Sequence, residues 1–395
     1  MSKVNAVQAV VVGAGPAGCL AAIALADAGI DTLLTGPRPA ADNRTTALMA
    51  GSVDALERLG AWSSCREHAA PLRTLRIADA TNRLLRAPEA RFEASEIGLD
   101  AFASNIENVH LLAALERKAA SMPRIRRIEE TVAAVRIHPD DVEVVLADGQ
   151  SVRAALVVGA DGARSLCREA AGIESSGWSY PQHALTFNIA HTRPHQDIST
   201  EFHTETGPFT LVPLPGLRSS VVCVVDEAES EYLRALDDAA LAQELERRSH
   251  SILGKVTLEP GRGHFPLAVQ TARQFGARRV ALVGEAAHRI PPIGAQGLNL
   301  GLRDAIRIAE LAGEAHARGC DIGGDEVLAR YDAQRRADIV GRTVTIDLLN
   351  RSLLSGFLPV QGLRGLGIAL LNRIGPLRRA VMREGVMPAS GRLSG

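Results

Sequence analysis

Aromatic residues are scarce in this chain. They make up 3% of its 395 residues; the tryptophans, Trp62 and Trp178, are too far apart to form a tight pair, and tyrosine is confined to Tyr180, Tyr232 and Tyr331. Cysteine is scarce too: Cys19, Cys65, Cys167, Cys223 and Cys320 stand singly, without the paired spacing of a zinc site or a disulfide framework, which fits a reducing cytoplasm. Charge is nearly balanced at -1, so bulk electrostatics name no partner and no nucleic acid is expected. No run of about 18 apolar residues exists to span a bilayer. Ahead of the first strand there is one lysine, and neither a signal nor a transit peptide is expected. His191 and His195 have the spacing of a metal pair, but Pro194 disfavours the helix that would bring them together, and no metal is expected.

What is present is an ordinary folded composition, 46% hydrophobic, in a chain long enough for two or three domains. "VVVGAGPAG" (10 to 18), a small-residue helix to Ala28 and "DTLL" ending at Leu34 make a βαβ beginning. Residues 72 to about 98 read as a short hairpin excursion, followed by a helix around Asn108 to Ala120. From Thr131 the pattern alternates as strands do, with Asp148-Gly149 as a hairpin turn. Residues 178 to 267 read as mostly β, with one helical stretch near 237 to 250. The expected organisation is a nucleotide-binding domain in three segments (1–70, 99–177 and 268–345), an inserted β-sheet substrate domain (71–98 and 178–267), and a helical C-terminal tail (346–395).

Three glycine-containing turns carry the chemistry. Gly13, Gly15 and Gly18 follow a strand and open a helix: the first permits the tight turn, the second lets backbone approach a pyrophosphate, and the third lets helix and strand pack closely. The helix end then presents free N–H groups and its positive dipole. An acid is expected about 20 residues on to hold the ribose. That place is Thr35-Gly36-Pro37, so the ribose contact must come from a hydroxyl, a backbone group or a neighbouring loop. The second turn is "GADGARS" (159 to 165), and the third is "GEAAHRIPPIGAQGLNLGLRDA" (284 to 305). In the third, Glu285 stands at a strand end. Pro291 and Pro292 stiffen the loop, Gly294 and Gly297 leave room for close approach, and a helix from Leu298 points its N-terminal amides at whatever lies there.

Together these turns, with "RTTAL", "HTETGPFTLVPLPG" and "YDAQRRADIVGRTVTIDLLNRSLLS" in order, make the chain resemble the FAD-dependent aromatic hydroxylases, and within them the ubiquinone-biosynthesis hydroxylases of alphaproteobacterial type. The resemblance spans nearly the whole chain. It implies an α/β fold with a Rossmann-like FAD-binding domain and a mostly antiparallel inserted sheet, as in para-hydroxybenzoate hydroxylase. It implies that Gly13, Gly15, Ala17 and Gly18 bind the ADP half of FAD and that Arg44 lies near the pyrophosphate. By the same resemblance Asp161 and Gly162 serve FAD and the nicotinamide reductant, while Gly284, Glu285, Pro292, Gly294, Gly297, Leu298 and Asn299 hold the ribityl chain and flavin. Glu285 departs from the family's Asp, and Thr35-Gly36 from its acid.

The implied reaction is reduction of FAD by NAD(P)H or a redox protein, addition of O2, and attack of a flavin hydroperoxide on the ring of a polyprenylated phenol. No base declares itself; Tyr180 and His183, which open the inserted sheet, are the catalytic candidates, and His288 reads as a structural hydrogen-bonding residue. A basic amphipathic stretch, 356–385, is a candidate for peripheral contact with the inner face of the cytoplasmic membrane or for packing on the chain itself. Other ubiquinone-biosynthesis proteins are candidate partners. A soluble-phenol hydroxylase, a prenyl-chain reductase and a non-catalytic flavoprotein scaffold remain alternative readings.

Overall fold

Pro16 takes the first position of α1 (Pro16–Asp27), where its missing N–H costs nothing, and α1 follows β1 (Asn5–Val12) through a turn of three residues. The computed structural model describes residues 5–40, 43–81, 88–292, 295–354 and 375–386. α1 is nearly all Ala, Leu, Ile and Gly and is buried from Gly18 to Ala26, because small side chains let it lie close to its neighbours on several sides.

β2 (Thr32–Thr35) lies parallel to β1 on one side, and β11 (Ser151–Gly159) lies parallel on the other. β8 (Ile125–Ile128), β17 (Gly276–Ala277) and β18 (Val280–Leu282) extend this sheet in the order β17-β18-β11-β1-β2-β8. β9 (Val132–Ile137) and β10 (Val142–Leu146) attach to β11 as an antiparallel meander, with the turn before β11 at Gly149, whose φ is 85°. α3 (Asn108–Ser121) covers the sheet beside α1.

The excursion after residue 72 is part of a second sheet. β5 (Thr74–Asp79) pairs antiparallel with β6 (Ala90–Glu93) and parallel with β13 (Ile198–His203). The order is β19-β16-β12-β15-β14-β13-β5-β6, adding β12 (Ser175–His191), β14 (Pro208–Leu214), β15 (Arg218–Asp226), β16 (Val256–Ala272) and β19 (His288–Arg289). β12 and β16 run through the expected boundaries at 177/178 and 267/268. The single helix expected near 237 to 250 is one of two, α5 (Glu227–Ala235) and α6 (Asp238–Arg248). Asp226 and Asp237 each accept from a backbone N–H three residues on, so each starts its own helix. Leu233, Leu241 and Leu245 of these helices pack on Leu185, Phe187, Phe209, Val221 and Cys223. A third, small sheet of β3 (Thr45–Met49), β7 (Ala103–Glu107) and β4 (Ala69–Leu72) lies between the two larger ones.

α7 (Gln296–Ala317) and α8 (Asp325–Leu354) close the first sheet, and one buried carboxylate joins them to the third glycine turn. Asp304, on α7, has no exposed surface. It accepts from Gly284 N at 3.0 Å, from His288 Nε2 at 2.6 Å and from Arg335 Nε at 2.6 Å. An ionised carboxylate can only accept, so the His288 nitrogen is the donor. Arg335 also donates to Asp338 at 2.8 Å, and the buried Tyr331 hydroxyl donates to Leu282 O at 2.7 Å. His288 is therefore a structural hydrogen-bonding residue, as expected.

The stretch expected to be a basic amphipathic segment is described from residue 375. There α9 (Gly375–Val386) packs on the chain: Met382 is buried with Ala94 and Phe102, while Arg378 pairs with Glu96 at 2.7 Å and lies over the Phe92 ring. Residues 355 to 374 lie outside the described residues. No described helix is long and apolar enough to cross a membrane. Cys19, Cys65, Cys167 and Cys223 are buried and Cys320 is exposed.

Burial alone pushes the Asp304 carboxyl up, but Arg335, His288 and the hydrogen bonds from His288 and Gly284 outweigh it, and its pKa is lowered overall. The stabilisation from this ionised group is thus complete above the unfolded value, about pH 4, and is lost as pH falls through the lower folded value. Asp304→Asn is expected to cost about 3 kcal/mol at neutral pH, because it removes one partner of a buried ion pair, and to flatten the acid limb of stability measured by urea unfolding against pH. Tyr331→Phe leaves the Leu282 carbonyl without its donor and is expected to lower stability by about 1 to 2 kcal/mol in the same assay.

Candidate active site

The carboxyl ends of the parallel strands are level. Leu282, Gly159, Val12, Thr35 and Ile128 form one row across the first sheet, and each glycine turn leaves from that row. A methyl group on Gly13 would stand 2.2 Å from Ala160 O, so the first turn lies directly against the second, and its φ of +110° is one that L side chains rarely adopt. A methyl group on Gly18 would strike Gly13 O at 1.9 Å. Gly284, with φ +60°, would bring one within 3.3 Å of the Ala17 Cβ, and one on Gly301 of α7 would stand 3.0 Å from Gly284 Cα and 3.5 Å from Ala17 Cβ. The three turns expected to serve one ligand therefore converge, packed together by glycines and Ala17. Arg168 ties two of them, donating to Ala163 O and to Ala286 O, each at 2.8 Å.

Against this packing, other positions are open. Nothing among the described residues stands within 4 Å of where a Cβ on Gly15, Gly162 or Gly297 would be. Gly15 is the N-cap of α1 and Ala295 that of α7, and neither makes a side-chain capping hydrogen bond. α7 begins at Gln296 rather than Leu298, and Ala295 just before it takes the left-handed conformation (φ 53°). Gln296, Gly297 and Leu298 form its first turn. Glu285 is exposed at the third turn, Pro292 is exposed beside the buried Pro291, and Gly294 lies outside the described residues.

One expected ligand contact is spent on the protein itself. Asn299 is fully buried; its Oδ1 accepts from Met49 N (2.9 Å) and Ser52 Oγ (2.7 Å), and its Nδ2 donates to Ala47 O (2.8 Å) and Ala295 O (2.6 Å). Every hydrogen-bonding position of the amide is filled, so this side chain fixes the α7 start rather than reaching a ligand. Asp161 accepts from Ser165 Oγ (2.6 Å) and Cys167 N (3.0 Å), which shapes its turn. Where an acid is missing after β2, Thr35 donates its hydroxyl to Glu130 O at 2.9 Å and Arg127 donates to Gly36 O at 2.6 Å. The loop after β8 thus lies along the end of β2.

The second sheet faces this edge. Val212, Met49 and Ala295 surround a small cluster of Ala47, Leu72 and Ala103, so the strand face that carries Val212 is the one turned to the start of α7. Arg44, exposed in the loop before β3, lies with its guanidinium 4.8 Å over the Phe265 ring on the same face. Tyr180 is on this face too, partly buried by Ala184, Val224 and Leu267 and edge-on to Trp178. His183 is not. It shares strand parity with Leu185 and Phe187, which places it on the face covered by α5 and α6, where its Nδ1 is 2.9 Å from His264 Nε2.

Strand parity reveals inner-face residues that the motif reading passed over. Gly263, Thr186, Val222, Thr210, Glu201 and Ile77 stand in cross-strand register. Glu201 is joined by His203 of the same strand, Nε2 to Oε1 at 2.8 Å. The signal was present as alternation in "STEFH", where Phe202 points to the core between two polar neighbours.

The family model described as FAD binding domain matches residues 6–345. A ubiquinone hydroxylase from Rhodospirillum rubrum is 34% identical over 382 residues, covering 95% of this chain and 88% of that protein. The 3-demethoxyubiquinol 3-hydroxylase of Escherichia coli is 30% identical over 383 residues, covering 94% and 96%. The crystal structure of p-nitrophenol 4-monooxygenase from Pseudomonas putida has the same fold, with a TM-score of 0.79 over 99% of this chain and 100% of that one at 21% identity. The chain is a member of the FAD-binding domain family, among the ubiquinone-biosynthesis hydroxylases, and FAD is its cofactor.

Proposed function

We propose that this chain hydroxylates the aromatic ring of a polyprenylated phenol in ubiquinone biosynthesis, with FAD, O2 and NAD(P)H or a redox protein as electron donor. The observation that carries the reading is the convergence of three glycine turns beside the starts of α1 and α7, facing a sheet that is apolar but for a few polar groups. Bound there, FAD supplies two-electron reduction and the activation of O2, chemistry that no side chain provides.

The residues divide the remaining work. Gly13, Gly15, Ala17 and Gly18 would bring backbone amides and the α1 dipole to the pyrophosphate, with Arg44 beside it. The ribose contact would come from the loop after β8, since the Thr35 hydroxyl is already engaged. Glu285, exposed at its turn, would accept from the ribityl hydroxyls, and Gly284, Pro292, Gly294, Gly297 and Leu298 would shape the flavin's resting place. The amides at the start of α7 would stabilise negative charge on the nearest ring edge. Asp161, Gly162 and Asn299 would hold these turns in place. In this division residues 1–70, 99–177 and 268–345 bind the cofactor, while 71–98 and 178–267 form the substrate roof.

A polyprenyl tail places the substrate in a bilayer, and the basic stretch 356–385 is our candidate for peripheral contact on the cytoplasmic face. Arg364→Glu, Arg373→Glu and Arg383→Glu combined should reduce sedimentation with vesicles containing anionic lipid; unchanged sedimentation removes this contact. For the reaction, the purified chain should be yellow and should consume O2 with a prenylphenol and not with small phenols, giving a product with one oxygen atom from 18O2. Equal use of small phenols would favour a soluble-phenol hydroxylase, a reduced prenyl chain a reductase, and a flavin that is never reduced a scaffold.

A further inference from the structure

We infer that Glu201, held by His203, is the acceptor for the substrate's phenolic proton. The inference rests on the hydroxylase reading above and assigns the proton step it leaves open.

The argument starts from the sheet's registers. Asn188, Ser220 and Val212 form one cross-strand row, and this row abuts the first half of the molecule: Asn188 donates to Asn43 O (2.9 Å), Ser220 Oγ accepts from Thr45 (2.8 Å), and Val212 packs near Ala295. Two residues further along each strand, about 7 Å away, comes the row of Gly263, Thr186, Val222, Thr210, Glu201 and Ile77. Gly263 and Ile77 at its ends, and Thr186, Val222, Thr210 and Glu201 between them, are all half-exposed, while alternate residues on the opposite face, Leu185, Val221, Leu211 and Phe202, are buried. This is an open strip of inner sheet just past the point where the sheet touches the α7 start. Its side chains are small or apolar with one exception, Glu201.

A carboxylate among threonines and valines is costly unless something holds it. His203, whose side chain keeps 12% of its surface exposed, bonds Oε1 at 2.8 Å, and Thr210 stands 3.5 Å from Oε2. Asp79 is in register with His203 on β5, and Arg44 over Phe265 is the cation on the far side of the face. Glu201 itself retains 26% of its side-chain surface, so Oε2 can reach a ligand lying on the strip.

The step is a proton transfer. The phenol O–H bond breaks, a Glu201 O–H bond forms, and the electron pair stays on the phenol oxygen, enriching the ring positions that oxygen attacks. When the product leaves, the proton returns to solvent by way of His203. His203 acts only through Glu201 and is a positioning residue.

The test uses the full chain loaded with FAD and two substrates, a short-chain prenylphenol and a ring-fluorinated prenylphenol already ionised at the assay pH. Glu201→Gln should keep its FAD and lose about 100-fold or more in product formation with the first substrate. With the pre-ionised substrate, the ratio of intact to variant rates should shrink to about 3 or less, a rescue that simple distortion would not give. His203→Gln should show the same pattern at smaller size. If Glu201→Gln fails to hold FAD, Glu201→Asp is read in the same way. An intact chain that hydroxylates neither phenol overturns the hydroxylase reading. An active intact chain with an equally active Glu201 variant, or with equal losses on both substrates, overturns the inference alone.

Discussion

A single buried carboxylate sets the geometry of the cofactor edge. Asp304 has no water to solvate it, so it must be paired, and its partners come from three separate parts of the chain: the turn amide of Gly284, the ring of His288 and the guanidinium of Arg335. Satisfying that one charge fixes where α7 starts relative to the third glycine turn and where α8 lies behind both. Asn299, one turn earlier on α7, repeats the device with uncharged groups and fixes the same helix to β3 and α2 (Ala50–Arg58).

The second constraint is strand parity. A sheet has two faces, and in β12 to β15 one face is sealed by α5 and α6 while the other looks toward the start of α7. Residue identity does not decide whether a histidine is near the chemistry; its odd or even place along the strand does. His183 and His264 meet on the sealed side, whereas Glu201 and His203 meet on the open one.

Much of this was legible beforehand, for physical reasons. The turns were readable because glycine is required where backbones touch, at Gly13, Gly18 and Gly284, and that requirement leaves a residue-level signature. Strand alternation and the Asp148-Gly149 turn were readable because they depend on near neighbours. Long-range partnerships were not. Nothing local says that Asp304 finds Arg335 or that the Asn299 amide is consumed by Met49, Ser52, Ala47 and Ala295, since each is settled only when the chain closes. The role of His183 was misjudged for the same reason: parity can be counted in sequence, but the covered face is known only from α5 and α6.

The cysteines, so unremarkable in sequence, carry a consequence for a protein that handles dioxygen. Burial pushes the Cys19 and Cys223 thiols up to about 12 and Cys65 to about 11, and holds Cys167 high as well. Oxidants attack the thiolate, and at cellular pH these four sulfurs stay protonated and shielded. Peroxide released by an unproductive turnover would meet one exposed thiol, Cys320, at the surface beyond α7.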